Sequence, residues 1–431
     1  MHRSLAGLEW IWFGRGMSGT TRHRGRWTPD DRCASPWHYL PVEVPPGCAG
    51  LRVELAYERA AATVDLGCFG PAGFRGWSGG ARSGFVITPG AATPGYLPGE
   101  LEPGRWQVVL GLYRLPPEGV EFTLVTEVTT VPGRFQPAPR PPAPPPLGDR
   151  PPRRELPARP GHRWLAGDLH THTEHSDGEQ TVAELARFAA GQGLDFLAVT
   201  DHNTVSHFPE LGPAAARYGI TLIPGQEVTT DAGHAGALGD IGWVDFREPP
   251  DSWLAATERD GGLLSVNHPI GGHVSWTLPM RRRPPLAEVW HWSWLDPRWT
   301  TPLAWWLAWD PAAVPVGGSD WHRPGSDADP GTPTTWVECA GYGPAAGMDG
   351  DGPAAVLDGL RAGRCAISAR RHGPVLLRMD GELVAVGADG TTLAGPDGPR
   401  AVVRGDLVAF PAAAGYHRLL DPAGGTLALT G

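Results

Sequence analysis

The sequence predicts an α/β protein: a barrel of strands and helices, preceded by an all-β sandwich-like domain and followed by a small β region. Two observations support this fold class. Apolar strand patterns alternate with helical patterns across residues 161–372, and several of these strands end in His, Asp or Glu. Short alternating runs separated by Gly and Pro flank that segment on both sides. We therefore expect four parts, at residues 1–133, 134–160, 161–372 and 373–431.

The N-terminal part, residues 1–133, contains short β-branched or alternating runs such as LRVELAYE, WQVVLGLYR and VEFTLVTEV. Gly and Pro separate these runs, which is typical of a small sandwich. Residues 134–160 include PAPRPPAPPPLGDRPPRR, where the prolines remove the N–H donors that a helix or a strand needs. This segment predicts an extended linker, and a ligand for a proline-recognising domain is the alternative.

Composition excludes several classes of chemistry. All 36 basic residues are Arg, so Lys Schiff bases and P-loop lysines are ruled out. The formal charge of −10 at pH 7 disfavours a nucleic-acid polymer or an anionic membrane as partner. Five scattered cysteines, no signal-like apolar start and no run of ~18 apolar residues together favour a cytoplasmic protein.

The barrel segment concentrates the histidines, because 11 of the 16 lie between residues 161 and 330. An apolar run leads into His170 and His172, which share one face of an extended chain. A helix follows, with a capping box at Thr181 and Glu184. Four further strand patterns end in Asp, Glu or His: DFLAVTDHN, GITLIPGQEVTT, GGLLSVNHP and VPVGGSDWH. Since the carboxyl ends of barrel strands meet at one mouth, these side chains predict one metal site.

The set DLHTHTEHSDG, VTDHN, PGQEV, GH, NHP and GGSDWH resembles the PHP (polymerase and histidinol phosphatase) superfamily. More narrowly, it resembles the CehA/McbA-like branch of metallohydrolases, which includes carbaryl hydrolases. The resemblance covers about residues 161–372, with all motifs in the family's order. It implies a distorted (β/α)7 barrel that holds two or three divalent metal ions.

The resemblance also implies nine metal ligands, with Glu227 bridging two ions. The three groups are His170, His172, Glu227 and Asp320; Glu227, His234 and His268; and Asp177, His202 and His322. Nitrogen and oxygen donors without Cys favour Zn, Mn or Fe over Mg or Ca. Two positions depart from the family pattern: Gln226 stands where Glu is common, and Gly236 stands where Asn is common. The resemblance therefore does not fix which residues contact the ligands.

These residues predict a metal-dependent hydrolase acting on ester bonds. Two metal ions lower the pKa of a bridging water and supply hydroxide, while Glu227 fixes their spacing. The leading expectation is a phosphoesterase for a small monoester or a nucleotide-like diester. One alternative is a carboxylic or carbamate ester hydrolase with the same metal site. A second alternative is a non-catalytic binding module that uses the metal barrel as a scaffold.

Three further residues are candidates for acid–base and substrate contacts. Protonating the leaving group requires an acid, for which Asp201 and His207 are the candidates. The alternatives are that Asp201 orients a ligand His and that His207 is a surface residue at a helix start. Arg323 would bind a substrate anion or pair with a loop carboxylate. The expected substrate is a small-molecule ester or phosphoester, and the oligomeric state is open.

Overall fold

The structure is a computed structural model that describes residues 8–11, 18–294, 301–326, 328–341 and 352–431. The chain divides into two compact units. The first comprises Met1–Pro142, Glu174–Asp177 and His202–His207, and the second comprises Ala143–Thr173, Gly178–Asp201 and Phe208–Gly431. Across the described ranges, no helix has both the length and the apolar character needed to cross a membrane.

The first unit is built from antiparallel strands joined by Gly- and Pro-rich turns. Two sheets, of order β1-β2-β9-β4-β7 and β3-β8-β5-β6, place their inward side chains in one apolar core cluster. The strands that the alternating runs predict are confirmed in β4, β8 and β9. The elements of this unit are β1 (Leu8–Ile11), β2 (Ser18–Trp27), α1 (Pro29–Ala34), β3 (Trp37–Val44), β4 (Gly50–Tyr57), β5 (Thr63–Gly70), β6 (Gly73–Gly79), β7 (Gly84–Ile87), β8 (Gly104–Arg114) and β9 (Val120–Thr129).

The second unit mixes parallel strands, helices and a set of C-terminal antiparallel strands. Within the described residues, the segment 134–160 that precedes it contains no helix or strand. The elements of this unit are β10 (His162–Asp168), α2 (Val182–Gly191), β11 (Phe196–Val199), α3 (Phe208–Tyr218), β12 (Thr221–Thr230), β13 (Gly233–Leu238), α4 (Pro250–Arg259), β14 (Leu263–Asn267), β15 (Leu286–His291), α5 (Thr301–Trp309), β16 (Val314–Gly318), β17 (Thr334–Ala340), α6 (Pro353–Arg361), β18 (Cys365–Ser368), β19 (Val375–Met379), β20 (Glu382–Val386), β21 (Thr392–Gly395), β22 (Gly398–Val402), β23 (Leu407–Pro411), β24 (His417–Leu420) and β25 (Thr426–Thr430).

The main sheet runs in the order β16-β15-β14-β13-β12-β11-β10-β17-β18-β25-β24-β21-β22. The pairs β10–β11, β11–β12, β14–β15 and β15–β16 are parallel. Strand β13 interrupts this parallel arrangement because it pairs antiparallel with both β12 and β14. A two-residue turn at Asp231 and Ala232 joins β12 to β13, and so short a connection permits only antiparallel neighbours.

The C-terminal strands are continuous with this sheet. Strand β25 pairs with β18, and β24, β21 and β22 follow outward from it. Strands β19, β20 and β23 form a separate three-stranded sheet. The predicted short strands PVLLRM, LVAV and TLALT are confirmed as β19, β20 and β25.

The helix expected after the first histidine motif is confirmed as α2. Its N-cap Thr181 accepts a hydrogen bond from the Glu184 N–H at 3.1 Å, and Glu184 accepts one from the Thr181 N–H at 2.9 Å. This reciprocal capping box satisfies two of the N–H groups that a helix start leaves unpaired. Leu185 and Ala189 are buried on the face of α2 that packs into the unit's apolar core.

Candidate metal centre

The predicted ligands follow the ends of parallel strands in the second unit. His170 and His172 lie two and four residues beyond β10, His268 directly follows β14, and Asp320 lies two residues beyond β16. Thr171 and Trp321 form a parallel β-bridge between the segments beyond β10 and β16. The carboxyl ends of parallel strands in one sheet lie at the same edge, and this places the ligand side chains together.

Glu227 and His234 reach the same edge by a different route. The sequence suggested a strand ending at Glu227, but β12 continues to Thr230 and returns as β13. Because β13 runs in the opposite direction, its first residues lie where the parallel strands end. His234, the second residue of β13, is therefore near Glu227.

The Glu227 carboxylate is fully buried and surrounded by nitrogen atoms. Its Oε1 lies 3.0 Å from His170 Nε2, 3.2 Å from His268 Nε2 and 3.4 Å from His234 Nδ1. Asn267 Nδ2 donates a hydrogen bond to the same oxygen at 3.0 Å. One carboxylate thus faces three predicted imidazole ligands, as a group between two ions would.

Asp320 is the second carboxylate in this cluster. Its Oδ1 lies 2.9 Å from His172 Nε2 and 3.2 Å from His170 Nε2. Its Oδ2 lies 3.3 Å from His291 Nε2. The backbone at Asp320 has a positive φ of 48°, an uncommon conformation for a residue with a side chain.

The donor atoms of this cluster fit a divalent ion. One ligand atom from each of His170, His172, Glu227 and Asp320 lies within 4.8 Å of the other three. Metal–ligand bonds of about 2.0–2.1 Å place tetrahedral ligands about 3.4 Å apart. The distances of 3.0 Å and 2.9 Å at Glu227 and Asp320 are close to that spacing.

The charges in the cluster shift the protonation of its members. Burial alone would lower the pKa of His170, but the carboxylates of Glu227, Asp320 and Glu288 raise it well above its usual value. Burial would raise the pKa of Asp320, yet the surrounding histidines hold it well below its usual value. These opposite pKa shifts favour a protonated His170 beside a negatively charged Asp320, and a bound cation would replace the proton.

Glu288 and His291 belong to this cluster, although the sequence analysis did not select them. Glu288 Oε1 lies 3.1 Å from His170 Nδ1, and one ligand atom each from His170, Glu288 and His291 lies within 4.8 Å of the others. Both lie in β15, an apolar strand, LAEVWH, that ends in His. The strand-end rule applied to the other strands would have found His291 but not Glu288, which lies three residues before the end of β15.

The members predicted for a third ion are divided between the two units. In the first unit, His202 Nε2 lies 3.5 Å from Asp177 Oδ1, and Arg82 donates to the Ser176 carbonyl oxygen at 2.8 Å. In the second unit, the His322 ring stacks on His172 with centroids 4.3 Å apart. A third ion at Asp177, His202 and His322 stays a prediction.

The acid–base candidates Asp201 and His207 and the substrate candidate Arg323 have different surroundings. Asp201 is fully buried and accepts hydrogen bonds from the N–H and hydroxyl of Thr173 at 2.8 and 2.6 Å. This arrangement favours a role in orienting the chain just after His172. His207, in the first unit, is buried rather than on the surface. Arg323 keeps 65% of its side chain exposed and pairs with Glu179 at 3.6 Å.

The two positions that depart from the family pattern have defined contacts. Gln226 is buried and exchanges two hydrogen bonds with the backbone of Val244, at 2.8 and 2.9 Å, so it fixes a loop. A Cβ at Gly236 would lie 3.2 Å from Asn267 Oδ1. The glycine therefore leaves room for Asn267, the residue that donates to Glu227.

Comparisons with known proteins give partial matches to this chain. The family model for the PHP domain matches residues 168–274. A 5'-3' exoribonuclease of Haemophilus influenzae is 42% identical over 64 residues, 15% of this chain and 23% of that protein. A 3',5'-nucleoside bisphosphate phosphatase of Chromobacterium violaceum is 39% identical over 97 residues, 22% of this chain and 34% of that protein.

These matches are partial, since the chain spans 23% of the length of the first relative and 34% of the second. Among solved structures, a two-domain protein from Bacteroides vulgatus containing a predicted PHP-like metal-dependent phosphoesterase aligns with a TM-score of 0.42. That alignment has 16% identity and covers 65% of this chain and all of that one.

Proposed function

We propose that this chain, which carries a PHP domain, is a metal-dependent hydrolase that cleaves a phosphoester. The observation that carries the proposal is the group of three buried residues, His170, His172 and Glu227, with the partly buried Asp320, whose ligand atoms lie within 4.8 Å of one another. The relatives with 42% and 39% identity over the matched segments are named a 5'-3' exoribonuclease and a 3',5'-nucleoside bisphosphate phosphatase. A small monoester or a nucleotide-like diester is the proposed substrate.

Each residue has a role in this proposal. Glu227 would be shared by two ions, of which one would also be held by His170, His172 and Asp320 and the other by His234 and His268. Zn, Mn and Fe are the ions that suit this donor set. Ions bound there would acidify a water molecule and polarise the ester oxygen. Asn267, which donates to Glu227 Oε1 at 3.0 Å, would keep the carboxylate oriented toward the ions.

A carboxylic or carbamate ester is the second candidate substrate. Phosphoester sites usually present a cation to the non-bridging oxygens. Arg323, the Arg that the sequence offers for this task, is mostly exposed and pairs with Glu179. That pairing favours an assay of carbon esters beside phosphorus esters.

The test combines metal analysis with three esters. The protein is purified without chelator, its metals per chain are counted by elemental mass spectrometry, and p-nitrophenyl phosphate, bis-p-nitrophenyl phosphate and p-nitrophenyl acetate are assayed. Glu227→Ala should lose bound metal and turnover, because the proposed bridging ligand is gone. The matched control is Glu338→Gln, a buried glutamate of the same unit that pairs with Arg159.

The outcomes separate the candidates. Two or three ions per chain with turnover of a phosphate ester support the proposal, and preference for the acetate supports the carbon-ester alternative. Less than one ion per chain after reloading with Mn and Zn, with no turnover of any ester, would overturn the hydrolase and support a binding module.

A further inference from the structure

Glu288 is a buried carboxylate that contacts two predicted ligands at once. It lies in β15 with 2% of its surface exposed. Its Oε1 lies 3.1 Å from His170 Nδ1, and its Oε2 accepts a hydrogen bond from the backbone N–H of His268 at 2.7 Å. Each carboxylate oxygen therefore contacts a nitrogen atom of a predicted metal ligand, one in the His170 ring and one in the His268 backbone.

The contact with His170 determines which ring nitrogen faces the cluster. A neutral imidazole carries one N–H, and a buried carboxylate holds that proton on the nitrogen nearest to it. With the proton on Nδ1, the Nε2 of His170 keeps its lone pair. Nε2 is the nitrogen that lies 3.0 Å from Glu227 and 3.2 Å from Asp320, where an ion would be held.

The contact with His268 supports an uncommon backbone conformation. His268 has a φ of 25°, which a residue with a side chain rarely adopts without compensating interactions. The hydrogen bond from its N–H to Glu288 is one such interaction. In this conformation His268 Nε2 lies 3.2 Å from Glu227 Oε1.

The neighbouring strand leaves room for this arrangement. A Cβ at Gly318, in β16, would lie 2.2 Å from Glu288 Oε1 and 2.6 Å from His170 Cβ. Any side chain at this position would displace Glu288 or His170. The glycine thus permits the close contact between carboxylate and imidazole.

We propose that Glu288 is a positioning residue of the metal centre, which holds His170 with Nδ1 protonated and fixes the backbone of His268. This proposal rests on the proposed function, because it assigns Glu288 a role at the same metal site. Direct ligation by Glu288 is disfavoured because one oxygen accepts the His268 N–H and the other faces a nitrogen of His170 turned away from Glu227.

The decisive variant is Glu288→Gln, which keeps the size but offers one acceptor and one donor. An amide cannot accept from both the His170 ring N–H and the His268 backbone N–H. We expect metal affinity to fall about 10- to 100-fold, as when other partners of ligand histidines are removed. The measurement is competition for Zn²⁺ against a chromophoric chelator, together with the visible spectrum of the Co²⁺-loaded protein.

Two further variants control for folding. Glu338→Gln changes an equally buried glutamate that is paired with Arg159, and it should leave the metal affinity and the Co²⁺ spectrum unchanged. Glu288→Asp keeps two carboxylate acceptors on a shorter side chain and should recover part of the lost affinity. The Asp variant keeps the proposal testable if the Gln variant does not fold.

The outcomes distinguish this proposal from the proposed function. Wild-type affinity and an unchanged Co²⁺ spectrum in Glu288→Gln would overturn the positioning role and leave the hydrolase proposal standing. Loss of one whole ion per chain at saturating Zn²⁺ would overturn it in favour of direct ligation. A wild-type protein that binds no metal would overturn both.

Discussion

The second unit buries two kinds of carboxylate, which differ in the cation that faces them. Asp195 and Glu338 face guanidinium groups: Arg153 Nε donates to Asp195 at 2.7 Å, and Arg159 donates to Glu338 from its guanidinium and, at 2.8 Å, from its backbone N–H. Glu227 and Asp320 face imidazoles instead. The first pair is permanently neutralised, whereas the second depends on protons or a metal ion.

The reason is the difference in proton affinity between the two cations. A guanidinium keeps its charge at every accessible pH, so an Arg–carboxylate pair is complete by itself. An imidazole is easily deprotonated near neutral pH, which makes its nitrogen available as a metal ligand. Buried carboxylates among histidines therefore mark a site for an exchangeable cation, and those beside arginines mark structural contacts.

The largest expected stability change comes from breaking an arginine pair. Glu338→Gln should lower the free energy of unfolding by about 3 kcal/mol, the low end for a buried pair, because Arg159 keeps 28% of its side chain exposed. The measurement is urea denaturation of the metal-free protein.

The matched change among the carboxylates that face imidazoles is Glu227→Gln. In the metal-free protein it should cost less than the change at Glu338, because the facing imidazoles, unlike Arg159, can release their protons as the pH rises. Equal losses in the two variants would contradict the distinction between the two kinds of carboxylate.

The pH dependence should separate the metal-free and metal-loaded forms. In the metal-free protein, burial lowers but nearby carboxylates raise the pKa of His170 and His268 above 6.5. Their contribution to stability is fully present below pH 6.5 and is lost as pH rises through the raised pKa. Metal binding requires neutral imidazoles, so it should strengthen over the same rise.

Thermal unfolding of both forms across about pH 5 to 9 provides the measurement. We expect the melting temperature of the chelator-treated protein to fall with rising pH, while the gain from added Zn²⁺ grows. A gain that shrinks as pH rises would show that protons and metal do not compete at this cluster.

The smallest expected change in stability comes from removing Arg153, which pairs with Asp195. Arg153→Ala should destabilise the protein by about 1 kcal/mol or less, because its side chain is 24% exposed. Asp195 also retains the Ala166 N–H at 2.9 Å. Urea denaturation measures the change, and metals per chain should stay at the wild-type number. A change in metal content would show that the two kinds of carboxylate are coupled.

Some of the site follows from local sequence signals. His170, His172, His268 and Asp320 follow strands whose apolar patterns are visible in the sequence, and the barrel rule brings such ends to one edge. The PHP resemblance supplied their grouping, and the family model matches residues 168–274. The capping box at the start of α2 likewise depends only on residues three apart.

Other features depend on contacts between distant segments. Glu288 contacts His170 across 118 positions of the chain, and Asn267 contacts Glu227 across 40. The exposed pairing of Arg323 and the buried position of His207 also follow from their neighbours in space. No local pattern distinguishes a glutamate that orients a ligand from one that pairs with an arginine.

The sequence by itself predicted many of the strands and most of the candidate metal ligands, and it excluded Lys chemistry, because these depend on residue type and short-range spacing. Only the tertiary structure decided that β13 runs antiparallel, bringing His234 to Glu227, and that Glu288 supports two ligands. The physical reason is that strand direction and side-chain hydrogen bonds are fixed by partners far apart in the chain, where residue spacing carries no signal.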